Sequence, residues 1–262
     1  MTGNVAPVDL DEAKRIIRAA QERDVVLRVF GGLAIQMHCK DVQFCSRKHV
    51  DLDVVGLSRQ SAQIVSIFEG MGYVRNQAIA LSFGRGRMLF EKPESEDHID
   101  VLLDRLIFEH TIDLRGRLGI EEFTISVSDL LLSKLSIARL NEKDFRDIIT
   151  LLKERPFGNQ DLRGAVNVDY IVRLCSKRWG LCHDVLRALG ECTRMLKSYE
   201  LDSDSREHAL RNLDVLRTSI SSSKKTTHWK LRGVVGEHMP WRRDLDEPGT
   251  WTNAEDIPRR QE

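Results

Sequence analysis

The sequence predicts an α/β (α+β) fold in which a mixed sheet is followed by a helical C-terminal half. Within the first 125 residues, β-branched and apolar runs at 25–30, 50–55 and 98–103 indicate buried strands. From Ser128 onward, apolar residues recur at the spacing of a helix face. A chain of 262 residues is long enough to bury a core without a disulfide or metal staple. We therefore expect a sheet-containing core at 1–125, a helical region at 126–221 and an extended tail at 222–262.

Local signals justify the elements in chain order. Asp9 and Glu12 form a capping box that opens an amphipathic helix. The first strand ends at Gly31 and Gly32, which predict a tight turn. Asn141 is the expected cap of a later helix. The other predicted elements are helices at about 33–38 and 62–68, a hairpin joining 78–83 to 87–90, and helices at about 168–178, 181–198 and 204–220.

Composition and charge exclude several classes of protein. Forty Lys and Arg residues balance forty Asp and Glu residues, so no whole-chain field draws the protein onto nucleic acid or an anionic membrane. The sequence has neither a run of about 18 apolar residues nor a signal-peptide pattern at its start, so we expect a soluble, cytoplasmic protein without a membrane partner.

The cysteines are odd in number and include no C-x-x-C pair, which predicts reduced thiols. We interpret the last three as packing residues. The five are Cys39, Cys45, Cys175, Cys182 and Cys192.

Three aspartates on the predicted strands form the candidate site. Asp51 and Asp53 alternate with apolar residues, so both side chains point to one face of their strand. Asp100 lies between apolar neighbours on a later strand. Mg²⁺ takes hard oxygen ligands from a few carboxylates, and aspartates at i and i+2 can bridge a metal pair. A third carboxylate can complete one ion and accept a proton.

The glycine pair adds a second chemical signal. Gly31 and Gly32 stand at a strand-to-helix turn, where backbone N–H groups can approach phosphate oxygens without a Cβ in the way. A D-x-D pair alone is more often the solvent face of an edge strand. The order of glycine pair, D-x-D pair and third aspartate is what favours a site for nucleotide chemistry.

This combination resembles the nucleotidyltransferase superfamily related to DNA polymerase beta. The resemblance covers about residues 10–155. Its later segments look like helices of bacterial nucleotidyltransferases of the abortive-infection toxin type and of small aminoglycoside or lincosamide nucleotidyltransferases. The segments that carry it are residues 28–35, 47–53, 98–100, 129–134 and 143–147.

The resemblance implies Mg²⁺-dependent transfer of a nucleoside monophosphate from an NTP, with ATP as the first candidate, and release of pyrophosphate. It implies two metal ions on Asp51, Asp53 and Asp100, with Asp100 also acting as the base, and nucleotide phosphates at Gly31 and Gly32. The acceptor stays open between a small molecule, an RNA and a protein, because acceptor choice lies in the helical half.

Two cations are further candidates for nucleotide binding. Lys134 either reaches back to the triphosphate or is solvated at the edge of its helix. Arg47 contacts phosphate or a site carboxylate, or is an exposed loop charge. Asp144 and Asp147 lie in the first turn of a helix, where carboxylates favour the helix dipole, so we expect a structural role for them.

Two departures from the family and two rival interpretations accompany the resemblance. Eighteen residues separate Gly32 from Asp51, more than the commoner spacing, so residues 39–45 look like an insertion. Gly32 also stands where serine is frequent. One rival is a catalytically weak nucleotidyltransferase fold that serves as a binding module or toxin–antitoxin component. The other is an unrelated α/β hydrolytic metalloenzyme that uses the same aspartates.

Overall fold

A five-stranded mixed sheet lies at the centre of the protein. A computed structural model describes residues 10–47, 49, 51–76, 86–93 and 98–243. The sheet has the order β1-β2-β5-β4-β3, in which β2 and β5 are parallel and the other neighbours antiparallel. The predicted mixed α/β fold is confirmed. The strands are β1 (Leu27–Val29), β2 (Leu52–Gly56), β3 (Val74–Arg75), β4 (Arg87–Glu91) and β5 (His98–Leu103).

Helices cover the sheet and build the C-terminal half. The first four are α1 (Leu10–Gln21), α2 (Gly31–Met37), α3 (Val42–Cys45) and α4 (Ser61–Gly70). The later ones are α5 (Val127–Leu135), α6 (Glu142–Glu154), α7 (Val168–Lys177), α8 (Trp179–Met195), α9 (Ser203–Ser222) and α10 (Thr227–Val235). Two small sheets pair β6 (Arg105–Ile107) with β7 (Thr111–Asp113) and β8 (Phe157–Gly158) with β9 (Val166–Asn167). None of the helices in the described ranges combines the length and apolar character needed to cross a bilayer.

The short helix α2 connects the sheet to the helical half. It begins directly after β1 and packs against β2 as well as against α5 and α6. Its inward residues Leu33, Ala34 and Ile35 are almost fully buried. Any group carried by α5 or α6 near this contact is therefore held at a fixed distance from the sheet.

Most predicted elements are found with small changes in their ends. Asn141 caps α6, and Asp144 completes the capping box. Residues 87–91 form a strand, as expected, but residues 77–85 lie outside the described residues, and so does Asp9. The described antiparallel neighbours of β4 are β5 and β3.

The expectation that all cysteines are reduced is wrong for two of them. Cys39 and Cys45 form a disulfide, because the turn of α3 brings their Cα atoms to 6.5 Å, within the usual range for such a bond. Cys175, Cys182 and Cys192 are free and buried, as expected for packing residues.

The stretch predicted as an extended tail contains a helix, α10. The Thr226 side chain accepts a hydrogen bond from the Trp229 backbone N–H and caps this helix, and the Trp229 side chain packs against the core. The helix has no buried residue of its own, so it lacks the apolar periodicity by which the sequence could have revealed it.

Residues after α10 are fastened to α8 through a buried carboxylate. Asp184, fully buried on α8, accepts hydrogen bonds from Trp241 Nε1 at 3.1 Å and Arg242 Nη1 at 2.7 Å. His110 Nε2 lies 2.8 Å from the same carboxylate. The Trp241 ring meets Trp179 edge-on at 6.0 Å. Trp251, the third tryptophan of the predicted tail, lies outside the described residues.

Removing residues 222–262 should leave a folded but less stable protein. The truncation strips two hydrogen-bond donors from buried Asp184 and uncovers the surface beneath Trp229, so we expect the Tm to fall by roughly 5–10 °C. The Trp241→Phe variant, which keeps a ring but loses the indole donor, should fall by less. Thermal melts of the three proteins measure this, and an unchanged Tm in the truncated chain would contradict the docking.

Candidate active site

The three predicted aspartates lie together at one end of the central strand pair. Asp53 on β2 is the direct register partner of Asp100 on the parallel strand β5. Side chains of paired residues share a face of the sheet, and Asp51 shares it too because it precedes Asp53 by two residues. The structure therefore gathers negative charge from two neighbouring strands at one edge.

Asp53 occupies the deepest position of the three. Burial first, and then the charges of Asp100 and Asp51, together raise its pKa to about 7. Gly31 lies directly against this carboxylate: its φ is +73°, and a Cβ there would come within 2.6 Å of Asp53 Oδ2. Both the backbone conformation and the space require glycine at this position.

An arginine and a histidine already contact the other two carboxylates. Arg87 on β4 forms a two-pronged ion pair with Asp100, with Nε 2.7 Å from Oδ1 and Nη2 2.7 Å from Oδ2. His98 Nε2 lies 2.7 Å from Asp51 Oδ1. Burial raises the pKa of Asp100, and the hydrogen bond and charge of Arg87 oppose this rise.

Sequence reasoning missed Arg87 and His98. A signal for His98 was present, since it precedes Asp100 by two residues and so shares its face. Arg87 is harder to foresee, because its approach to Asp100 depends on the register that pairs Leu89 with Asp100.

The aspartates fit a divalent cation in donor chemistry and charge. Asp53 receives no hydrogen bond or ion pair from any side chain in the described ranges, although it lies deep between two other carboxylates, and a cation would relieve that repulsion. Within the same ranges, no group of three or more His, Cys, Asp or Glu side chains is already arranged to hold a metal ion. A bound ion would therefore have to share Asp51 and Asp100 with His98 and Arg87.

Lys134 and Arg47 belong to a second charged cluster beside this one. Lys134 Nζ lies 2.8 Å from Asp144 Oδ1 and 3.0 Å from Asp147 Oδ2. Burial acts to lower the pKa of Lys134, but Asp147 and Asp144 together raise it above its ordinary value, so the amine is charged. Neither cation touches a site aspartate directly, although the charge of Lys134 acts to lower the pKa of Asp53.

Arg47 is not an exposed loop charge, because its guanidinium lies against the second glycine. A Cβ at Gly32 would come within 2.1 Å of Arg47 Nη2 and 3.0 Å of His49 Cε1. A serine at position 32 would therefore collide with both side chains. Burial and the charge of Arg47 lower the pKa of His49 to about 4, so this ring is neutral at pH 7.

The segment predicted to be an insertion, residues 39–45, positions Arg47 against Gly32. Asp41 binds Lys153 at 2.9 Å, and the Glu154 carboxylate accepts hydrogen bonds from the Lys40 and Asp41 backbone N–H groups. Phe44 is buried and packs edge-on against the Tyr199 ring at 5.6 Å. These contacts fix the segment on α6 and on the connection between α8 and α9, just before Arg47.

Comparisons with solved structures return nucleotidyltransferases and a nucleotidyltransferase-like protein, the superfamily that the sequence resembles. The lincosamide antibiotic adenylyltransferase LnuA, lincomycin-bound, has a TM-score of 0.40 and 17% identity over 55% of this chain and 96% of its own. ANT(2″)-Ia in complex with adenylyl-2″-tobramycin has a TM-score of 0.34 and 14% identity over 81% of this chain and 97% of its own.

A third similar structure is an antigenic nucleotidyltransferase-like protein from Paracoccidioides brasiliensis, with a TM-score of 0.38 and 13% identity over 85% of this chain and 98% of its own. No protein-family model matches the sequence, and no curated protein gives a significant match. At these identities and TM-scores, the similarities say nothing about the substrate or turnover of this chain.

The raised pKa of Asp53 predicts how stability depends on pH. The folded state holds a proton on Asp53 that the unfolded chain releases near pH 4, so the free energy of unfolding should fall between about pH 4 and 7, by a few kcal/mol. Asp53→Asn should remove much of this slope. Denaturant unfolding across this pH range, without divalent ions, measures it.

The matched control is Asp113→Asn, because Asp113 is an exposed carboxylate whose pKa is lowered, first by its hydrogen bond with Arg115. This variant should keep the slope. Excess Mg²⁺ at pH 8 should stabilise the wild type more than Asp53→Asn. If the free energy of unfolding depends on pH equally in the wild type and in Asp53→Asn, the pKa of Asp53 is not raised in the folded protein.

Proposed function

We propose that the protein is a nucleotidyltransferase that transfers a nucleoside monophosphate from an NTP to an acceptor hydroxyl and releases pyrophosphate. ATP is the first donor to test. The observation that carries the proposal is the register of Asp53 and Asp100 on adjacent parallel strands, with Asp51 on the same face and Gly31 so close that a Cβ there would come within 2.6 Å of Asp53 Oδ2.

Asp51, Asp53 and Asp100 are the residues that would hold Mg²⁺, with two ions as the expected number. Bound Mg²⁺ supplies positive charge that offsets the phosphates and the attacking oxygen. The carboxylate of Asp53 supports this role: among the described residues no side chain pairs with it, and burial and the charges of Asp100 and Asp51 disfavour its ionised form, which a cation would stabilise.

The side chains of this protein would supply orientation and proton transfer. Asp100 is the proposed base that takes the acceptor proton, and burial raises the pKa of its carboxyl, which favours uptake of a proton. Arg87 keeps the Asp100 carboxylate in one orientation through its two-pronged ion pair. Gly31 and Gly32 are the proposed approach for the nucleotide phosphates, with Arg47 and Lys134 as cations close by.

The acceptor is proposed as a class. A small molecule, an RNA end and a protein side chain can each offer a hydroxyl while leaving the three aspartates unchanged. All three classes should be assayed with the same donor, since the product of each carries the same transferred group.

A second candidate function is a nucleotidyltransferase fold with weak turnover that works by binding, as in a toxin–antitoxin component. The observation that favours it is that Arg87 forms an ion pair with Asp100 and that His98 lies 2.7 Å from Asp51, so two of the three carboxylates already have side-chain partners. A protein of this kind would bind nucleotide without releasing pyrophosphate.

Pyrophosphate release separates these functions. With Mg²⁺ and each of the four NTPs, the wild type should release pyrophosphate in the presence of an acceptor extract, and Asp53→Asn should lose this activity because its amide cannot offer a charged ligand. Asp113→Asn should keep it. Nucleotide binding without pyrophosphate release in the wild type would favour the binding module, and hydrolysis without any NTP requirement would favour an unrelated metalloenzyme.

Asp100→Asn tests the proposed base. We expect kcat to fall by about 100-fold or more while the nucleotide Kd changes little, because Asp51 and Asp53 still bind the ion that accompanies the triphosphate. Steady-state kinetics and calorimetric nucleotide binding measure the two quantities. Full activity in Asp100→Asn would refute the role of Asp100.

A further inference from the structure

Asp147 connects two cations that come from different parts of the chain. Its carboxylate accepts hydrogen bonds from Arg47 Nη1 at 2.6 Å and Arg47 Nη2 at 2.8 Å, and Lys134 Nζ lies 3.0 Å from its Oδ2. Asp147 is only 4% exposed, so its charge is satisfied by these two side chains rather than by bulk water. Arg47 follows the disulfide-closed segment, whereas Lys134 lies on α5.

Both cations keep donors that this cluster does not use. A guanidinium has five N–H donors, and Arg47 gives two to Asp147 and one to the Lys143 carbonyl, at 3.4 Å. Among the residues the structure describes, one Nη2 hydrogen and the Nε hydrogen have no acceptor. Lys134 likewise has three donors and gives one each to Asp144 and Asp147.

The unused donors lie beside the proposed reaction site. Arg47 Nη2 stands directly against Gly32, and the charge of Lys134 acts on Asp53. Arg47 therefore stands beside the glycine pair, and Lys134 lies near enough to the deepest carboxylate for its charge to act there, which is where the proposed donor would place its phosphates.

We infer that Asp147 is a positioning residue that holds Arg47 and Lys134 together for the triphosphate of the nucleoside triphosphate donor. This inference rests on the proposed function and adds to it a residue whose sequence position indicated only a structural role at the start of a helix. Asp147 itself touches no substrate; it acts through the two cations.

Charge balance shows why orientation is the contribution of Asp147. Arg47 and Lys134 carry two positive charges, and Asp144 and Asp147 carry two negative ones, so the cluster is close to neutral as a whole. Removing the charge of Asp147 makes the surroundings more positive and cannot reduce the general attraction for a polyanion. What the variant loses is the two-pronged contact that fixes the guanidinium plane.

The first test is therefore a separation of kcat from binding. In Asp147→Asn, kcat for pyrophosphate release should fall by about 10- to 100-fold because the cations are misplaced, while KM for the NTP rises by no more than about threefold. The matched control is Asp161→Asn, which removes an aspartate paired with Arg117 at 2.9 Å away from the cluster, and which should keep both constants. A wild-type kcat in Asp147→Asn would overturn the inference.

Arg47→Lys provides a second, independent variant. It keeps the charge but loses the fork that Asp147 holds, so kcat should fall as in Asp147→Asn. The double variant Arg47→Lys/Asp147→Asn should be no slower than the slower single variant, within about threefold, because both changes break one contact. Multiplying losses would show that the residues act separately. Thermal melts of each variant confirm that folded protein is compared.

Binding of inorganic tripolyphosphate distinguishes a failure of this inference from a failure of the proposed function. By calorimetry, Arg47→Gln and Lys134→Met should each weaken its binding about tenfold, and Asp147→Asn should not weaken it. If the wild type releases no pyrophosphate but shows this binding pattern, the proposed function fails and the phosphate site stands. If Arg47→Gln and Lys134→Met bind tripolyphosphate like the wild type, the inference fails, whatever the turnover.

Discussion

The constraint on which the site depends is the crowding of three carboxylates at one end of β2 and β5. Asp53 lies deepest, and burial together with the charges of Asp100 and Asp51 raises its pKa to about 7. A sheet that places like charges side by side, one of them deeply set, is stable only if cations or protons offset them. Arg87 forms an ion pair with Asp100 and His98 lies 2.7 Å from Asp51, whereas no side chain in the described ranges pairs with Asp53. Because Asp53 lacks the kind of side-chain partner that Asp51 and Asp100 have in the described ranges, this end of the two strands is a candidate site for a cation.

Elements outside the sheet place further charged side chains near this end of β2 and β5. Helix α2, which begins at the glycine pair, packs against α5 and α6, and these two helices carry Lys134 and Asp147. The disulfide-closed segment between α2 and β2 is anchored on α6 through Asp41 and Lys153, and it ends at Arg47. The residues that look like an insertion in the sequence thus position the Arg47 guanidinium against Gly32.

Much of this arrangement could be predicted from local sequence patterns. Alternation places Asp51 and Asp53 on one face, helical periodicity reveals α5 to α9, and Asn141 marks the start of α6, because each signal lies within a few residues. The ion pairs of Arg47 with Asp147 and of Lys134 with Asp144 join different elements, and no local pattern reports them. The Cys39–Cys45 disulfide and the capped helix α10 were missed for the same reason, since both depend on how a segment folds or docks rather than on an apolar repeat.

The central claim is that Asp53 is a crowded carboxylate whose proper partner is a divalent cation. Carbon-13 NMR titration of the aspartate carboxyl groups, with Asp53→Asn to assign the Asp53 signal, measures it most directly. Without Mg²⁺ the Asp53 signal should titrate near pH 7, and with excess Mg²⁺ its midpoint should fall by about two pH units or more because the bound ion favours the charged form. A midpoint near pH 4 that does not respond to Mg²⁺ would contradict the account.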